Sequence, residues 1–443
     1  MGRLFGTDGI RGIAGCELSC ELAFKVGKAL GVVIGSEKDR TVIVGMDTRI
    51  SSDMLSAAVA AGICSVGGEV IDVGVCSTPA VAYLVKKENA AAGVMISASH
   101  NPYQYNGIKI FASDGRKLPD EVEERIESLI FGEPITEGAR IGSIKRRHEM
   151  IDGYVDNLRE AFGVRLDGMK IAVDCANGSA SATAERLLSS LGAECYMLGN
   201  SPNGKNINKG CGSTSLAALK EAVVREGCDV GIAFDGDADR CIAADHLGRE
   251  IDGDYIMAIL ALWLKGERRL AKDTLVGTVM TNMGLRRFCE GNEMNFVASA
   301  VGDRYVLEMM EKCGYSFGGE QSGHIIFGDI ATTGDGQLTA LALLSYIKKS
   351  GKSLNTLAGV MKKYPQYTIN IESGCEGKRL VESSPEIKSV IHSAEEKLGK
   401  RGRILVRASG TEPLVRVMVE CEDNCDAKKI CETAAEKIKA IIA

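Results

Sequence analysis

The sequence predicts an α/β protein in which three serial α/β domains with mixed sheets are followed by a C-terminal α+β domain. Short β-branched apolar runs alternate with helical segments three times in succession, as strands of largely parallel sheets do. The last segment instead alternates apolar and polar residues, which is typical of a half-exposed sheet. The 443 residues are also too many for one hydrophobic core.

The three α/β units follow one another along the chain. The first has strands at residues 41–46 and 70–73 around an alanine-rich helix at 53–66. The second has strands at 170–174, 195–198 and 230–234 and helices at 182–191 and 216–226. The third has a strand at 275–280 and helices that begin near Gly284 and Asp303. The final domain has strands at 367–371, 403–407 and 414–420 and helices at 385–398 and 426–442.

These elements predict domains at residues 1–150, 151–251, 252–365 and 366–443. In open parallel sheets, the loops at the carboxyl ends of the strands build the ligand site. We therefore expect an active site in a central cleft that is lined by such loops.

Composition excludes several classes of protein. Lys and Arg number 53 against 59 Asp and Glu, and the net charge of −6 argues against a nucleic-acid or membrane-surface binder. No apolar run occupies the first fifteen residues, so we expect neither a signal peptide nor a transmembrane segment, and a cytoplasmic location. The fifteen cysteines are scattered without C-x₂-C spacing, which indicates reduced core residues.

A serine follows the apolar run at residues 92–97, in the turn Ala98-Ser99-His100-Asn101-Pro102. With His100 beside it and Lys109 ten residues later, Ser99 is placed as an exposed nucleophile with acid/base groups nearby. The alternative is a polar turn that only caps the strand.

Three carboxylates alternate directly after the strand at 230–234. Asp235, Asp237 and Asp239 repel one another unless a cation lies among them, and a hard divalent ion with oxygen ligands fits best. Arg240 stands where an EF-hand loop needs glycine, which excludes that motif. A solvated acidic turn is the alternative.

Residues 318–324 (GGEQSGH) place a carboxylate, a hydroxyl and an imidazole on a glycine-rich loop. Glu320, Ser322 and His324 are suited to gripping sugar hydroxyls and moving a proton, although a plain polar turn has the same composition. A second glycine-dense loop, residues 6–12, presents Arg11.

The C-terminal domain carries a group of residues that suits a phosphate monoester. Two guanidinium groups, two hydroxyls and the amides of a Ser-Gly-Thr turn can hold a dianion, whereas a structural turn with surface arginines is the alternative. The residues are Arg407, Ser409, Gly410, Thr411 and Arg416.

In this order, one per domain, these loops resemble the α-D-phosphohexomutase superfamily over essentially the whole chain. The resemblance implies that Ser99 is phosphorylated, as activity requires. It also implies one Mg²⁺ per chain, bound by Asp235, Asp237, Asp239 and the phosphoryl group of Ser99. The four domains then carry, in turn, the phosphoserine, metal-binding, sugar-binding and phosphate-binding loops.

The resemblance also implies roles for the other residues. Glu320 and Ser322 contact sugar hydroxyls, and the five residues of the C-terminal group bind the phosphate that is not being transferred. The remaining catalytic candidates are Lys109 and His324 for proton transfer, with Arg11 and Arg240 supporting the phosphoserine region.

Three segments resemble the superfamily members that act on glucosamine phosphate: residues 6–12 (GTDGIRG), 301–306 (VGDRYV) and 319–324 (GEQSGH). They imply an isomerase that converts glucosamine 6-phosphate to glucosamine 1-phosphate through a bisphosphate. Such an activity feeds UDP-N-acetylglucosamine and cell-wall precursor synthesis. The expected partner is a small-molecule hexosamine phosphate, and both a monomer and a homodimer are open.

Three alternatives remain beside this function. A phosphoglucomutase/phosphomannomutase belongs to the same class of enzyme. A non-catalytic sugar-phosphate-binding protein would need a damaged catalytic position, whereas Ser99, Lys109 and Arg407 are all present. A serine hydrolase would need a Gly-x-Ser-x-Gly elbow, which does not surround Ser99.

Overall fold

The computed structural model describes residues 4–6, 8–36, 40–132, 135, 140–408 and 414–442. They form two compact units: Met1–Met280 with Asn292–Val360, and Thr281–Gly291 with Met361–Ala443. Three α/β sheets lie in the first unit and one antiparallel sheet with helices lies in the second, which confirms the predicted fold class. Within the described ranges, no helix combines the length and the apolar character that crossing a bilayer requires.

The first sheet has seven strands and is mixed. Its strands are β1 (Phe5–Gly6), β2 (Gly9–Ile13), β3 (Thr41–Met46), β4 (Glu69–Val75), β5 (Ala92–Ile96), β6 (Tyr105–Ala112) and β7 (Ile144–Arg146). The helices are α1 (Cys20–Val33), α2 (Ser52–Ser65), α3 (Thr78–Lys87), α4 (Asp120–Phe131) and α5 (Ile151–Phe162). The strand order is β1-β2-β6-β5-β3-β4-β7, with β3 parallel to β4 and β5, and β5 antiparallel to β6. The central strands are buried on both faces, which explains their continuous apolar sequence.

The second sheet has five strands in the order β12-β11-β10-β8-β9. Its elements are β8 (Lys170–Asp174), β9 (Glu194–Leu198), β10 (Val230–Phe234), β11 (Cys241–Asp245), β12 (Glu250–Ile251), α6 (Ala184–Ser190) and α7 (Ala217–Glu226). Strand β8 is parallel to β9 and β10, and β11 returns antiparallel to β10. The turn between β10 and β11 is the acidic loop.

The third sheet has four strands in the order β14-β13-β15-β16. They are β13 (Thr274–Thr278), β14 (Asn295–Ser299), β15 (Phe317–Gly319) and β16 (Ile325–Phe327). The helices of this part of the chain are α8 (Gly253–Gly266), α9 (Met283–Gly291), α10 (Asp303–Cys313), α11 (Gly336–Ser350) and α12 (Leu354–Ala358). All of these helices except α9 belong to the first unit.

The second unit is a three-stranded antiparallel sheet with helices. Its remaining elements are β17 (Gln366–Glu372), α13 (Cys375–Ser383), α14 (Pro385–Leu398), β18 (Gly402–Ala408), β19 (Leu414–Cys421) and α15 (Asn424–Ile442). The strand order is β17-β19-β18. Helix α9 belongs to this unit because the side chain of Asn282, just before it, bonds the backbone of Tyr364. Its Nδ2 donates to the Tyr364 carbonyl at 3.0 Å, and its Oδ1 accepts from the Tyr364 amide at 2.9 Å. The amide of Met283 also donates to Oε2 of Glu420 at 3.0 Å.

Candidate active site

Ser99 lies in the turn between β5 and β6 and is almost completely buried, not exposed as the sequence predicted. Its φ is +51°, in the left-handed region that residues with a Cβ rarely adopt. Its hydroxyl donates a hydrogen bond of 2.6 Å to Oδ2 of Asp235, at the end of β10. Such backbone strain persists only where the surrounding structure holds it, and it is concentrated at functional sites.

The three aspartates of the acidic loop converge. Asp235, Asp237 and Asp239 are all buried, and one carboxylate oxygen of each lies within 4.8 Å of the others. Thr78, at the start of α3, donates from its hydroxyl to Oδ2 of Asp237 at 2.6 Å and from its amide to the carbonyl of Asp237 at 2.9 Å. The N-terminus of α3 therefore holds the middle aspartate in place.

The aspartate cluster fits a divalent metal ion. Oδ1 of Asp237 and Oδ1 of Asp239 are buried and have no hydrogen-bond partner within the described part of the chain. Burial, together with the charges of Asp239 and Asp237, raises the pKa of Asp235 well above its usual value. Three buried carboxylates therefore ionise together only beside a cation, and carboxylate oxygens are the ligands that hard divalent cations prefer.

Lys109, on β6, brings a positive charge to the same cluster. Its Nζ lies 2.8 Å from Oδ2 of Asp237, 3.0 Å from Oδ2 of Asp8 and 3.5 Å from Oδ2 of Asp239. Burial would lower the pKa of this ammonium, but Asp237, Asp8 and Asp239 raise it well above its usual value. Lys109 is therefore protonated at neutral pH, so it can donate a proton but does not start as a base.

Asp8 is a site residue that the sequence analysis missed, although it lies in the loop that presents Arg11. Nζ of Lys117 lies 2.6 Å from both Oδ1 of Asp8 and Oδ2 of Asp303, and Arg11 pairs with Asp8 as well. Burial would raise the pKa of Asp8, but Lys109, Lys117 and Arg11 lower it well below its usual value. An ionised Asp8 thus connects the N-terminal loop to Lys109 and to α10.

Besides Lys109, Arg240 brings positive charge to the aspartates beside Ser99, whereas His100 does not. The amide of Arg240 donates to Oδ1 of Asp235 at 3.2 Å, and its Nε lies 3.9 Å from Oδ1 of Asp239. Nδ1 of His100 lies 3.5 Å from Oγ of Ser99. Burial, together with Arg240 and Arg11, lowers the pKa of His100 to about 4, so this imidazole is neutral at pH 7.

Glu320, Ser322 and His324 lie in the turn from β15 to β16, and this turn joins the acidic loop directly. The amide of Cys241 donates to the carbonyl of Gly323 at 3.0 Å, beside an isolated bridge that links the two turns. Oγ of Ser322 is buried and has no hydrogen-bond partner among the residues described. The structure therefore brings the loops of the first three predicted domains together.

His324 is buried close to the aspartates. Its Nε2 lies 3.5 Å from Oδ2 of Asp303 and 4.0 Å from Oδ2 of Asp239, and neither ring nitrogen makes a hydrogen bond to any described residue. Gly334 packs against the ring: a Cβ at that position would lie 2.5 Å from Nε2 and 2.6 Å from Nδ1. The segment that contains Gly334 carried no sequence signal that we recognised.

In the second unit, Arg407 on β18 is paired directly with Arg416 on β19. Directly paired residues of an antiparallel sheet lie on the same face, where like charges repel. Burial and the neighbouring Arg416 lower the pKa of Arg407. An anion would relieve this repulsion, so the pair suits a phosphate. The other predicted phosphate ligands, Ser409, Gly410 and Thr411, lie outside the described residues.

Comparison with known proteins identifies the family. The four phosphoglucomutase/phosphomannomutase domain models match the chain: α/β/α domain I at residues 2–135, domain II at 152–248, domain III at 252–364 and the C-terminal domain at 371–437. The phosphoglucosamine mutase of Clostridium novyi is 50% identical over 445 aligned positions, which cover 99% of each chain. That of Desulforamulus reducens is 50% identical over 441 positions, which cover 98% of this chain and 99% of the relative.

Solved structures share the fold. A phosphoglucomutase/phosphomannomutase family protein from Burkholderia thailandensis superposes with a TM-score of 0.82 at 22% identity, covering 98% of this chain and 97% of the other. The Aspergillus fumigatus N-acetylphosphoglucosamine mutase, solved with GlcNAc-6P and magnesium, has a TM-score of 0.70 at 17% identity, covering 99% and 96%. Full-length identity near one half, with all four domain models in order, shows that the chain belongs to the phosphoglucomutase/phosphomannomutase family and, within it, to the phosphoglucosamine mutases.

Proposed function

We propose that the chain interconverts glucosamine 6-phosphate and glucosamine 1-phosphate, with Ser99 carrying a phosphoryl group between two hydroxyls of the sugar. The observation that carries this proposal is the 2.6 Å contact of the buried Ser99 hydroxyl with Asp235, inside a carboxylate cluster that fits a divalent cation. The transferring group is an anion, so catalysis depends on positive charge that is already in place. The full-length relatives that are named phosphoglucosamine mutase support the choice of substrate.

The reaction consists of two phosphoryl transfers. A free sugar hydroxyl attacks the phosphorus of phospho-Ser99, the bond from phosphorus to Oγ breaks, and a sugar bisphosphate forms. The sugar hydroxyl loses its proton and Oγ of Ser99 regains one. The bisphosphate then turns around, Oγ attacks the other phosphoryl group, and the second sugar phosphate leaves.

His324 and Lys109 are suited to different roles in proton transfer. His324 is the candidate base, because its ring nitrogens are not engaged in hydrogen bonds with any described residue. Lys109, which the carboxylates hold in its protonated form, is the candidate donor and stabilises negative charge. Arg11 and Arg240 add positive charge around Ser99.

Asp235, Asp237 and Asp239, with the phosphoryl group of Ser99, would hold one Mg²⁺ per chain, which when bound offsets negative charge on the transferring group. Buried carboxylate oxygens without hydrogen-bond partners in the described ranges support this assignment. An Asp237→Asn variant should therefore lose metal-dependent turnover and remain folded. Full activity of the wild-type protein in excess chelator would contradict the metal role.

We assign substrate binding to two loops. Glu320 and Ser322 contact sugar hydroxyls in the first unit. In the second unit, Arg407 and Arg416, together with Ser409, Gly410 and Thr411, bind the phosphate that is not being transferred. The directly paired arginines support this assignment. The expected partner is thus a small hexosamine phosphate, while the cytoplasmic location and the oligomeric state remain predictions from the sequence.

The experiment is a coupled assay on purified protein with glucosamine, glucose and mannose phosphates, together with intact-mass measurement of Ser99 phosphorylation. Ser99→Ala should lose both turnover and the phosphoryl mass. The matched control is Ser128→Ala, because Ser128 is an exposed helical serine bonded only to the carbonyl of Glu124 in the described structure. Full turnover by Ser99→Ala would refute the nucleophile, and a preference for glucose or mannose phosphate would favour the phosphoglucomutase/phosphomannomutase alternative.

A further inference from the structure

A buried ion pair lies directly beneath the Ser99 turn. Arg49 and Asp47 follow β3, and the structure leaves neither side chain exposed to solvent. Nε of Arg49 donates to Oδ2 of Asp47 at 2.7 Å. Desolvating two charges costs about as much as their attraction returns, so a buried pair is weak evidence of a role in stability alone.

The remaining nitrogens of Arg49 hold the turn itself. One terminal nitrogen donates to the carbonyl of Ser99 at 2.8 Å. The other donates to the carbonyls of Pro102 at 2.5 Å and Tyr105 at 3.0 Å. A single guanidinium therefore fixes the turn at its beginning, middle and end, which only the planar multi-donor group of arginine can do.

The amide side of Ser99 is held through Asp47. The Ser99 amide donates to Oγ of Ser97 at 3.0 Å, and that hydroxyl donates to Oδ2 of Asp47 at 2.7 Å. The ion pair thus reaches Ser99 from both directions: Arg49 through the carbonyl and Asp47 through the amide.

A donor from the second sheet reaches the same carbonyl. Nδ2 of Asn208, in the loop between β9 and α7, donates to the carbonyl of Ser99 at 2.9 Å and to that of Asn101 at 3.1 Å. The carbonyl of Ser99 therefore accepts from two side chains that lie in the loops of different sheets.

We propose that Arg49 and Asn208 are positioning residues for phosphoryl transfer. Their two donors fix the carbonyl of Ser99 and, with Asp47 on the amide side, hold φ at +51° so that Oγ faces Asp235. A serine released from these bonds would relax to negative φ and turn its Oγ away from the carboxylate cluster. The inference rests on the proposed role of Ser99 in the reaction.

The test compares Arg49→Met, Arg49→Lys and Asn208→Ala. Arg49→Met removes every bond that Arg49 makes to the turn, and we expect kcat to fall by about 100-fold, as a displacement of about 1 Å at a reacting group can produce. Arg49→Lys keeps the positive charge opposite Asp47 but offers a single donor nitrogen in place of three, so it should recover part of that loss. Asn208→Ala removes one of the two side chains that donate to the carbonyl of Ser99, and it should lower kcat by about 10-fold. KM for the sugar phosphate should stay within about twofold, because neither residue is hydrogen-bonded to Glu320 or Ser322 in the described part of the chain.

The control is Arg165→Met. Arg165 also pairs with an aspartate two residues away, Asp167, and with the carbonyl of Ser190, but it is exposed and bonds no residue of the Ser99 turn within the described chain. It should keep the kcat of the wild type. Circular dichroism and thermal melts of each variant measure the folded fraction.

Several outcomes would overturn the inference: a wild-type kcat in folded Asn208→Ala, an equal rise of KM in place of the fall in kcat, or losses that only follow the folded fraction. If Arg49→Met does not fold, Asn208→Ala decides the question alone. An inactive Ser99→Ala with normal Arg49 and Asn208 variants would refute only this inference. An active Ser99→Ala would refute the proposed function itself.

Discussion

Replacing Gly334 with alanine tests whether the position of the His324 ring matters for turnover. The added Cβ would lie 2.5 Å from Nε2 and 2.6 Å from Nδ1, whereas ordinary contact begins at 3.4 Å. The backbone of Gly334 lies outside the left-handed region, so alanine fits the local conformation and the clash with the ring is the main effect. The ring is buried, so it has to move by about 1 Å or push its neighbours aside.

A displacement of about 1 Å at a reacting group costs about 100-fold in rate, which is about 2.7 kcal/mol of activation free energy. We expect kcat of Gly334→Ala to fall by about this factor in the coupled assay of glucosamine 1-phosphate formation. The strain of overpacking should also lower the free energy of unfolding by about 1 to 3 kcal/mol, which denaturant titration measures.

Gly266→Ala is the matched control, because the Cβ it would add meets no atom within 4 Å outside its chain neighbours and its own helix backbone, among the residues described. It should keep the turnover of the wild type and be at least as stable, because alanine favours the helical conformation more than glycine does. If Gly334→Ala were folded and turned over at the wild-type rate, either the ring of His324 would not take part in proton transfer or its position would not limit the reaction.

Three further predictions concern buried or opposed charges. Burial raises the pKa of Asp335 to about 6, so the folded protein binds this proton more tightly than the unfolded chain does, and the resulting stability is lost as pH rises from about 4 through 6. The asparagine of Asp335→Asn is neutral at every pH and loses no such stability. Between pH 4 and pH 6 the variant should therefore gain up to about 3 kcal/mol in free energy of unfolding relative to the wild type, measured by denaturant titrations at several pH values. Lys109→Met leaves the carboxylate of Asp237 without its buried ion pair and should lower the free energy of unfolding by about 3 to 5 kcal/mol, measured by urea titration. Arg407→Met removes one of the two guanidinium groups that we propose bind the phosphate, so steady-state kinetics should show a higher KM for the sugar phosphate. Because it also removes a like charge beside Arg416, a thermal melt should show unchanged or greater stability.

Each of these predictions has an outcome that contradicts it. A stability difference for Asp335→Asn that does not change between pH 4 and pH 7 would show that this carboxyl titrates normally. A Lys109→Met variant as stable as the wild type would mean that another cation balances Asp237. An unchanged KM for Arg407→Met would separate this arginine from substrate binding.

The sequence predicted the regular elements closely where burial leaves a simple pattern. The strands expected at residues 41–46, 170–174 and 230–234 coincide with β3, β8 and β10. Strands buried on both faces are continuously apolar, and polar turns mark their ends, so their bounds can be read from composition.

The packing of the helix near Gly284 was not visible in the sequence. Helix α9 falls within the predicted third domain by its place in the chain, yet it packs in the same compact unit as residues 361–443. The hydrogen bonds of Asn282 and Met283 to distant residues account for this, and no local pattern reports such partners.

The candidate site, too, was predicted only in part from the sequence. Ser99 and the three aspartates stand in short loops directly after buried strands, where a candidate nucleophile and candidate metal ligands can be proposed from residue type and spacing. Asp8, Arg49 and Gly334 were missed because their contributions consist only of contacts made in the folded chain: an ion pair with Lys109, hydrogen bonds to carbonyls of the Ser99 turn, and van der Waals contact with an imidazole.

By itself, the sequence predicted the fold class from periodicity, the candidate catalytic loops from residue type and spacing, and the family from the resemblance of its motifs, because these are local properties of the chain. The tertiary structure alone decided that Ser99 is buried with a positive φ, and that the pKa values of Lys109 and Asp235 both lie well above their usual values. These properties depend on which charges and dipoles from distant segments meet in a region from which water is excluded, and sequence spacing does not specify that arrangement.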